Sequence, residues 1–172
     1  MLFRSNSKEQ NVGTIARTAH SFGANFFFTI DPQVDVDLMR VSDTSDAFDH
    51  VPYYEYKSVD QMDLPDKCSL VGVELMADSI DLPSFRHPTR AAYVLGPEMG
   101  SLSPELVEKC DHIIKIPMKF CVNVGVAGAL VMYDRLLSMG RFADRPVKAG
   151  GPIEALPEHL PVHRRKQRRK KS

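Results

Sequence analysis

The stretch YVLGPEMGSLSPELVEKCDHIIKIPM, residues 93–118, sets the reading of the whole chain. It begins inside an apolar run, residues 91–96, that predicts a buried strand, and it ends on another, residues 112–118. Between them, Ser103 and Pro104 are the residue types favoured at a helix N-cap and first helical position, which predicts a short helix over 104–110. Strand, turn, helix and strand in that succession predict a parallel crossover, since an antiparallel pair needs only a tight turn. The turn after the first strand, Gly96-Pro97-Glu98-Met99-Gly100, places two glycines where backbone can approach a small ligand. It holds Glu98 and no Lys or Arg, so Coulomb repulsion disfavours a phosphate there. A neutral or cationic ligand is expected.

The same alternation extends in both directions. Upstream, NVGTIARTAHSFGA (11–24) spaces Val12, Ile15, Ala16, Ala19 and Phe22 at helical intervals, predicting a helix over 11–22 with Asn11 as N-cap and Gly23 as its stop. NFFFTI (25–30) predicts a buried strand, residues 34–48 a polar helical or irregular stretch, Tyr53–Tyr56 a short strand and Ser58–Met62 a short helix. CSLVGVEL (68–75) predicts another buried strand. Only Met-Leu-Phe precedes Arg4, so a first strand is expected to be very short or to lack its upstream half. Downstream, NVGVAGALVMYDRLLSMG (123–140) predicts a long helix with Val126, Leu130, Tyr133 and Leu137 on one stripe. Its Gly125 and Gly128 would let another backbone come close. Strands separated by helices predict an α/β fold, a mostly parallel sheet with flanking helices. Six Pro and Gly residues between 146 and 161 break every pattern, which places the domain at 1–142 and a flexible tail at 143–172.

A chain of 172 residues with 43% hydrophobic and 26% charged residues suits one soluble domain. No apolar span approaches membrane-crossing length and the N-terminus lacks a signal-peptide pattern, so a cytoplasmic protein is expected, with no membrane partner. Cys68, Cys110 and Cys121 are widely spaced, and the six histidines are scattered; neither a disulfide framework nor a metal site is expected. The formal charge of zero hides an asymmetry. Seven of the 22 Lys and Arg lie in HRRKQRRKKS (163–172), leaving 15 against 22 acidic side chains elsewhere. A basic tail with no apolar residues cannot build a core and suits a polyanion such as RNA.

The familiar enzyme signatures are missing: no G-x-G-x-x-G in a first strand-to-helix turn, no G-x-S-x-G and no H-E-x-x-H. What remains is three polar stretches at strand and helix boundaries, residues 11–17, 96–100 and 116–123. In an open parallel sheet the ligand crevice lies at the carboxyl ends of the strands. NVGTIARTAHSFGA, YVLGPEMGSLSPELVEKCDHIIKIPM and CVNVGVAGALVMYDRL (121–136) resemble the three ordered motifs of the SPOUT superfamily, in its SpoU/TrmH branch of RNA ribose 2′-O-methyltransferases. The resemblance covers about residues 5–140.

That resemblance implies an α/β fold ending in a deep trefoil knot, S-adenosylmethionine as cofactor, structured RNA (tRNA or rRNA) as substrate and a homodimer. It implies a cofactor pocket of Leu95, Gly96, Glu98 and Gly100 from the second motif, Ile116 and Met118 from the next strand, and Val122, Asn123 and Ala127 from the third. The implied catalytic set is Arg17, Asn11, Glu98 and Asn123. A guanidinium stays protonated, so the role expected of Arg17 is to bind the adjacent phosphate and orient the hydroxyl. The third motif departs from the family's usual Ser-Leu-Asn, reading Cys121-Val122-Asn123. Two alternatives stay open: a knotted RNA-binding protein without catalysis, and a nucleobase methyltransferase of another SPOUT branch.

Overall fold

The computed structural model describes residues 2–4, 9–32, 46–97, 100–140 and 142–151, with side chains from Asn11 onward. The chain divides into two units, Met1–Met139 and Gly140–Ser172. The described residues of the second unit hold neither helix nor strand.

In the first unit the described elements run β1 (Leu2–Arg4), α1 (Glu9–Ser21), β2 (Phe27–Ile30), α2 (Ala47–His50), β3 (Tyr53–Tyr56), β4 (Ser69–Val73), β5 (Ile80–Asp81), a 3₁₀ turn (Leu82–Ser84), β6 (Ala91–Leu95), α3 (Pro104–Lys109), β7 (His112–Lys115) and α4 (Val124–Met139). The seven strands form one sheet in the order β3-β2-β1-β6-β4-β7-β5, and every pairing is parallel. Both faces of such a sheet are covered at its centre, so the central strands β2, β4 and β6 are largely apolar rather than alternating, as the fully buried Phe27–Ile30 illustrates, while the edges β3 and β5 are more exposed. The short first strand sits mid-sheet, Leu2 pairing with Phe28 on one side and Val94 on the other.

Successive side chains of each strand serve opposite cores, because the strand period is two. Phe27, Val71, Tyr93, Leu95 and Ile114 pack with α1 (Val12, Ile15, Ala16, Ala19) and α4 (Val124, Val131, Met132). Phe28, Leu70 and Val94 pack with Leu102 and with Leu106 of α3 on the other face. Neighbouring strands β1 and β6 therefore send their following helices to opposite faces.

Local chemistry explains the helix ends. Gly23 has φ +68°, and α1 stops in a Schellman arrangement: Gly23 N–H donates to His20 O at 3.2 Å and Ala24 N–H to Ala19 O at 2.8 Å. Ser103 caps α3, its side chain accepting from the Leu106 N–H, and Pro104 follows at the first position.

Two expectations are corrected, and two features of the fold were not foreseen. Helix α1 begins at Glu9, so Asn11 is inside it and is not its N-cap. Residues 58–62 form turns, closed by Gln61 N–H to Ser58 O and Met62 N–H to Val59 O, instead of a helix. Strand β5 was not legible, being two exposed residues long. The stripe Val126, Leu130, Tyr133 and Leu137 does not face the core; the buried face of α4 is Val124, Gly125, Gly128, Val131 and Met132. Most of the 34–48 stretch lies outside the described residues.

Candidate active site

A pocket lies at the ends of β4, β6 and β7. Its walls come from Val73, Glu74 and Leu75 after β4, from Leu95, Gly96, Pro97 and Gly100 after β6, and from Lys115, Ile116, Met118, Phe120, Cys121, Val122, Val124 and Ala127 between β7 and the first turn of α4. It has an interior of about 140 Å³ within a cleft of about 740 Å³ that includes its open mouth. Among the described residues that line it, Glu74 and Lys115 carry charge and most of the rest are apolar. Gly96 packs close to the returning turn: a Cβ there would stand in ordinary contact, 3.4 Å from Leu102 N and 3.6 Å from the Glu74 carboxylate. Gly100 is needed for conformation, with φ +129°.

Seven of the expected cofactor residues, Leu95, Gly96, Gly100, Ile116, Met118, Val122 and Ala127, thus meet around one cavity. Glu98 lies outside the described residues. Asn123 does not line the pocket but joins two of the motifs. It caps α4, Oδ1 accepting from the Gly125 N–H at 2.8 Å, while Nδ2 donates to Asn11 Oδ1 at 2.8 Å across 112 positions. Asn11 is buried, and the two asparagines clamp the first turns of α1 and α4 together. Gly125 makes that approach possible, since a Cβ there would lie 2.7 Å from Thr14 Cγ2. Arg17 is exposed on α1 and lies outside the pocket lining, so the structure does not bring it to the pocket of its own chain.

The far half of α4 is tied down by a polar cluster beneath it. Asp134 Oδ2 accepts from His87 Nε2 at 2.9 Å, and His87 Nδ1 is 2.6 Å from the Tyr93 hydroxyl. A carboxylate can only accept, so a neutral His87 ring is left to accept from Tyr93. Arg135 donates to Tyr93 Oη, Pro88 O and Thr89 O. Burial raises the Tyr93 phenol above its ordinary range, and the Arg135 guanidinium works against that shift.

Four lining residues lie outside the three motifs, Val73, Glu74, Leu75 and Phe120, while Pro97, Lys115, Cys121 and Val124 lie within them without having been assigned to the cofactor. The strand-end rule that singled out 96–100 applies equally to Glu74, which directly follows the apolar run of β4. The cysteines differ sharply. Cys110 is packed behind the sheet, where burial, with Asp111 adding to it, pushes its thiol up to about 12. Cys121 is exposed at the pocket wall.

Fold and site together define a parallel α/β protein with a largely apolar small-molecule pocket, carrying one carboxylate and one ammonium group, built from strand ends and a helix N-terminus. Residues 2–133 match the SpoU rRNA Methylase family, and the chain belongs to it. It is 27% identical over 135 residues to the tRNA (guanosine(18)-2'-O)-methyltransferase TARBP1 of Mus musculus, a match covering 74% of this chain and 8% of that protein. It is 30% identical over 133 residues to a Staphylococcus aureus (strain COL) protein assigned to the TrmH family of tRNA/rRNA methyltransferases, covering 72% of this chain and 52% of that one. The chain therefore spans about half of the bacterial relative and a small part of the mouse one. Its fold is similar to that of the SpoU methyltransferase AviRb from Streptomyces viridochromogenes in complex with AdoMet, with a TM-score of 0.69 at 22% identity, covering 79% of this chain and 58% of that chain.

Proposed function

We propose that this protein uses S-adenosylmethionine to methylate a ribose 2′-hydroxyl of structured RNA, tRNA or rRNA. The observation that carries the reading is the convergence of all three motifs on one place: the second and third line a single pocket, and the first is hydrogen-bonded to the third through Asn11 and Asn123. The pocket chemistry fits the cofactor. Its apolar walls suit an adenine ring, its glycines admit ligand atoms against backbone, and Glu74 and Lys115 offer opposite charges to a ligand that carries both cationic and carboxylate groups.

Bound there, the cofactor supplies an electrophilic methyl: the ribose oxygen forms the new C–O bond as the S–C bond breaks, and the hydroxyl loses its proton. The chain's own residues then have three tasks. Leu95, Ile116, Met118, Val122 and Ala127 enclose and exclude water, Gly96 and Gly100 shape the turn, and Asn123 holds the start of α4 against α1. Arg17 binds the phosphate beside the target ribose and orients the hydroxyl, whose proton goes to that phosphate while the guanidinium stays charged. Such alignment is worth up to roughly 7–11 kcal/mol in good intramolecular systems. Glu98 belongs to the same reading as a contact to cofactor or RNA.

The position of Arg17, exposed and away from its own pocket, favours service to a partner's pocket. The outward stripe of α4 supports a homodimer. Val126, Leu130, Tyr133 and Leu137 expose 47%, 38%, 50% and 36% of their surface, a contiguous apolar strip of the kind that marks an interface. A trefoil knot in the C-terminal part of 1–142, a flexible basic tail at 143–172 that contacts RNA, and a cytoplasmic location complete the proposal. Among the described residues no helix is long and apolar enough to cross a membrane.

The test is incubation of the protein with methyl-labelled cofactor and total RNA, followed by nucleotide mapping. Label on a ribose oxygen is expected. Label on a base would assign the chain to nucleobase methylation, and cofactor binding without label on any RNA would leave an RNA-binding protein.

A further inference from the structure

Glu74 is the first residue after β4, beside Gly96 at the end of the neighbouring β6. Its backbone is fixed on both sides: its N–H donates to Ile114 O at 2.9 Å, and its carbonyl accepts from Ser79 Oγ at 2.9 Å. The carboxylate is spread between two backbone donors. Oε1 accepts from the Leu75 N–H at 2.9 Å, and Oε2 accepts from the Leu102 N–H at 2.8 Å, 28 residues away. Leu102 is buried in the core shared with α3, so that single bond ties the outgoing limb of the turn, Gly100–Leu102, to the end of β4. The incoming limb, Gly96–Pro97, packs beside it, so that a Cβ on Gly96 would stand in ordinary contact with Leu102, Ser101 and Glu74 at 3.4–3.6 Å.

We propose that Glu74 is a positioning residue for the cofactor pocket, its carboxylate latching the two limbs of the second-motif turn in the shape that admits the ligand. The inference rests on the cofactor reading above and adds a residue that no motif contains. A carboxylate is required because both of its ends must accept. Glutamine offers one acceptor, and its amide nitrogen would face a backbone N–H, donor against donor. Aspartate is one methylene shorter and cannot span from β4 to Leu102 while keeping Leu75.

The test uses the full chain, its Glu74→Gln and Glu74→Asp variants, S-adenosylhomocysteine binding by calorimetry, and hydrogen exchange at the Leu102 amide. Both variants should bind about ten-fold or more weakly, the scale of one lost charge-assisted hydrogen bond. Leu102 exchange should accelerate at least ten-fold while amides of β4 and β6 keep their protection, which separates a loosened turn from global unfolding. Wild-type affinity together with unchanged Leu102 exchange in a folded variant overturns the proposal. If Glu74→Gln fails to fold, Glu74→Asp decides by the same readouts. If the wild-type chain itself binds neither adenosylhomocysteine nor adenosylmethionine, the cofactor reading fails and the pocket role of Glu74 falls with it; faster Leu102 exchange in the variants would then leave only a structural latch.

Discussion

Helices α1 and α4 pack against each other on the same face of the sheet, yet they treat their other sides differently. Helix α1 buries Val12, Ile15, Ala16 and Ala19, sets Thr14 against Gly125 of α4 and turns Arg17 to solvent, as an amphipathic surface helix does. Helix α4 buries Val124, Val131 and Met132 and then presents a second apolar stripe outward. A helix apolar on two sides either spans a larger core or waits for a partner. Under the proposed function, the outward sides carry the functional demand, Arg17 on one helix and an apolar strip on the other.

The largest effect is expected where the two outward faces differ most. Replacing Tyr133→Asp and Leu137→Asp together would place unpaired charge in the proposed interface and should raise the dimer dissociation constant by at least about 1,000-fold. Sedimentation equilibrium reads this directly, and a wild-type chain that is monomeric at every concentration would break the comparison. Next comes the polar face of α1. Arg17→Ala should lower the rate of transfer about 100-fold, typical of losing one preorganised charged contact. Calorimetry should find adenosylhomocysteine affinity within about two-fold of wild type; a large loss would move Arg17 into the cofactor site.

The buried seam between the helices should respond in stability. Gly125→Val would drive side-chain atoms into Thr14 and cost about 1–3 kcal/mol in urea unfolding, with part of that recovered by adding Thr14→Ala. No recovery would mean that the strain lies elsewhere. The smallest effect belongs to Thr18, whose hydroxyl donates back to Thr14 O at 2.8 Å within α1. Thr18→Val should stay within about 0.5 kcal/mol, because such back-bonding adds little to a helix already hydrogen-bonded along its backbone.

How much of this was legible depended on distance along the chain. Strands β2, β4, β6 and β7 announce themselves because a parallel sheet makes them continuously apolar, and α1 and α3 carry their own stop and cap in Gly23 and Ser103. Asn11 was misread for an instructive reason: asparagine suits an N-cap, but here its side chain is spent on Asn123 and the helix has already started. Glu74 was invisible because a glutamate after a strand is ordinary until Leu102 returns to meet it. The period of the α4 stripe was legible and its direction was not, since periodicity locates a face and does not say what lies opposite it.

The sequence by itself therefore determined the parallel α/β class, most element boundaries and the turn after β6 as a place for a ligand without phosphate. Those follow from local terms: apolar periodicity, capping chemistry and the charge of a few adjacent residues. Only the tertiary structure decided that seven motif residues share one pocket, that Asn11 and Asn123 clamp α1 to α4, that Glu74 holds the turn, and that Arg17 and the α4 stripe face outward. Each of these depends on segments that meet only after the strands have crossed over, and pairing across 28 or 112 positions leaves no trace in local spacing.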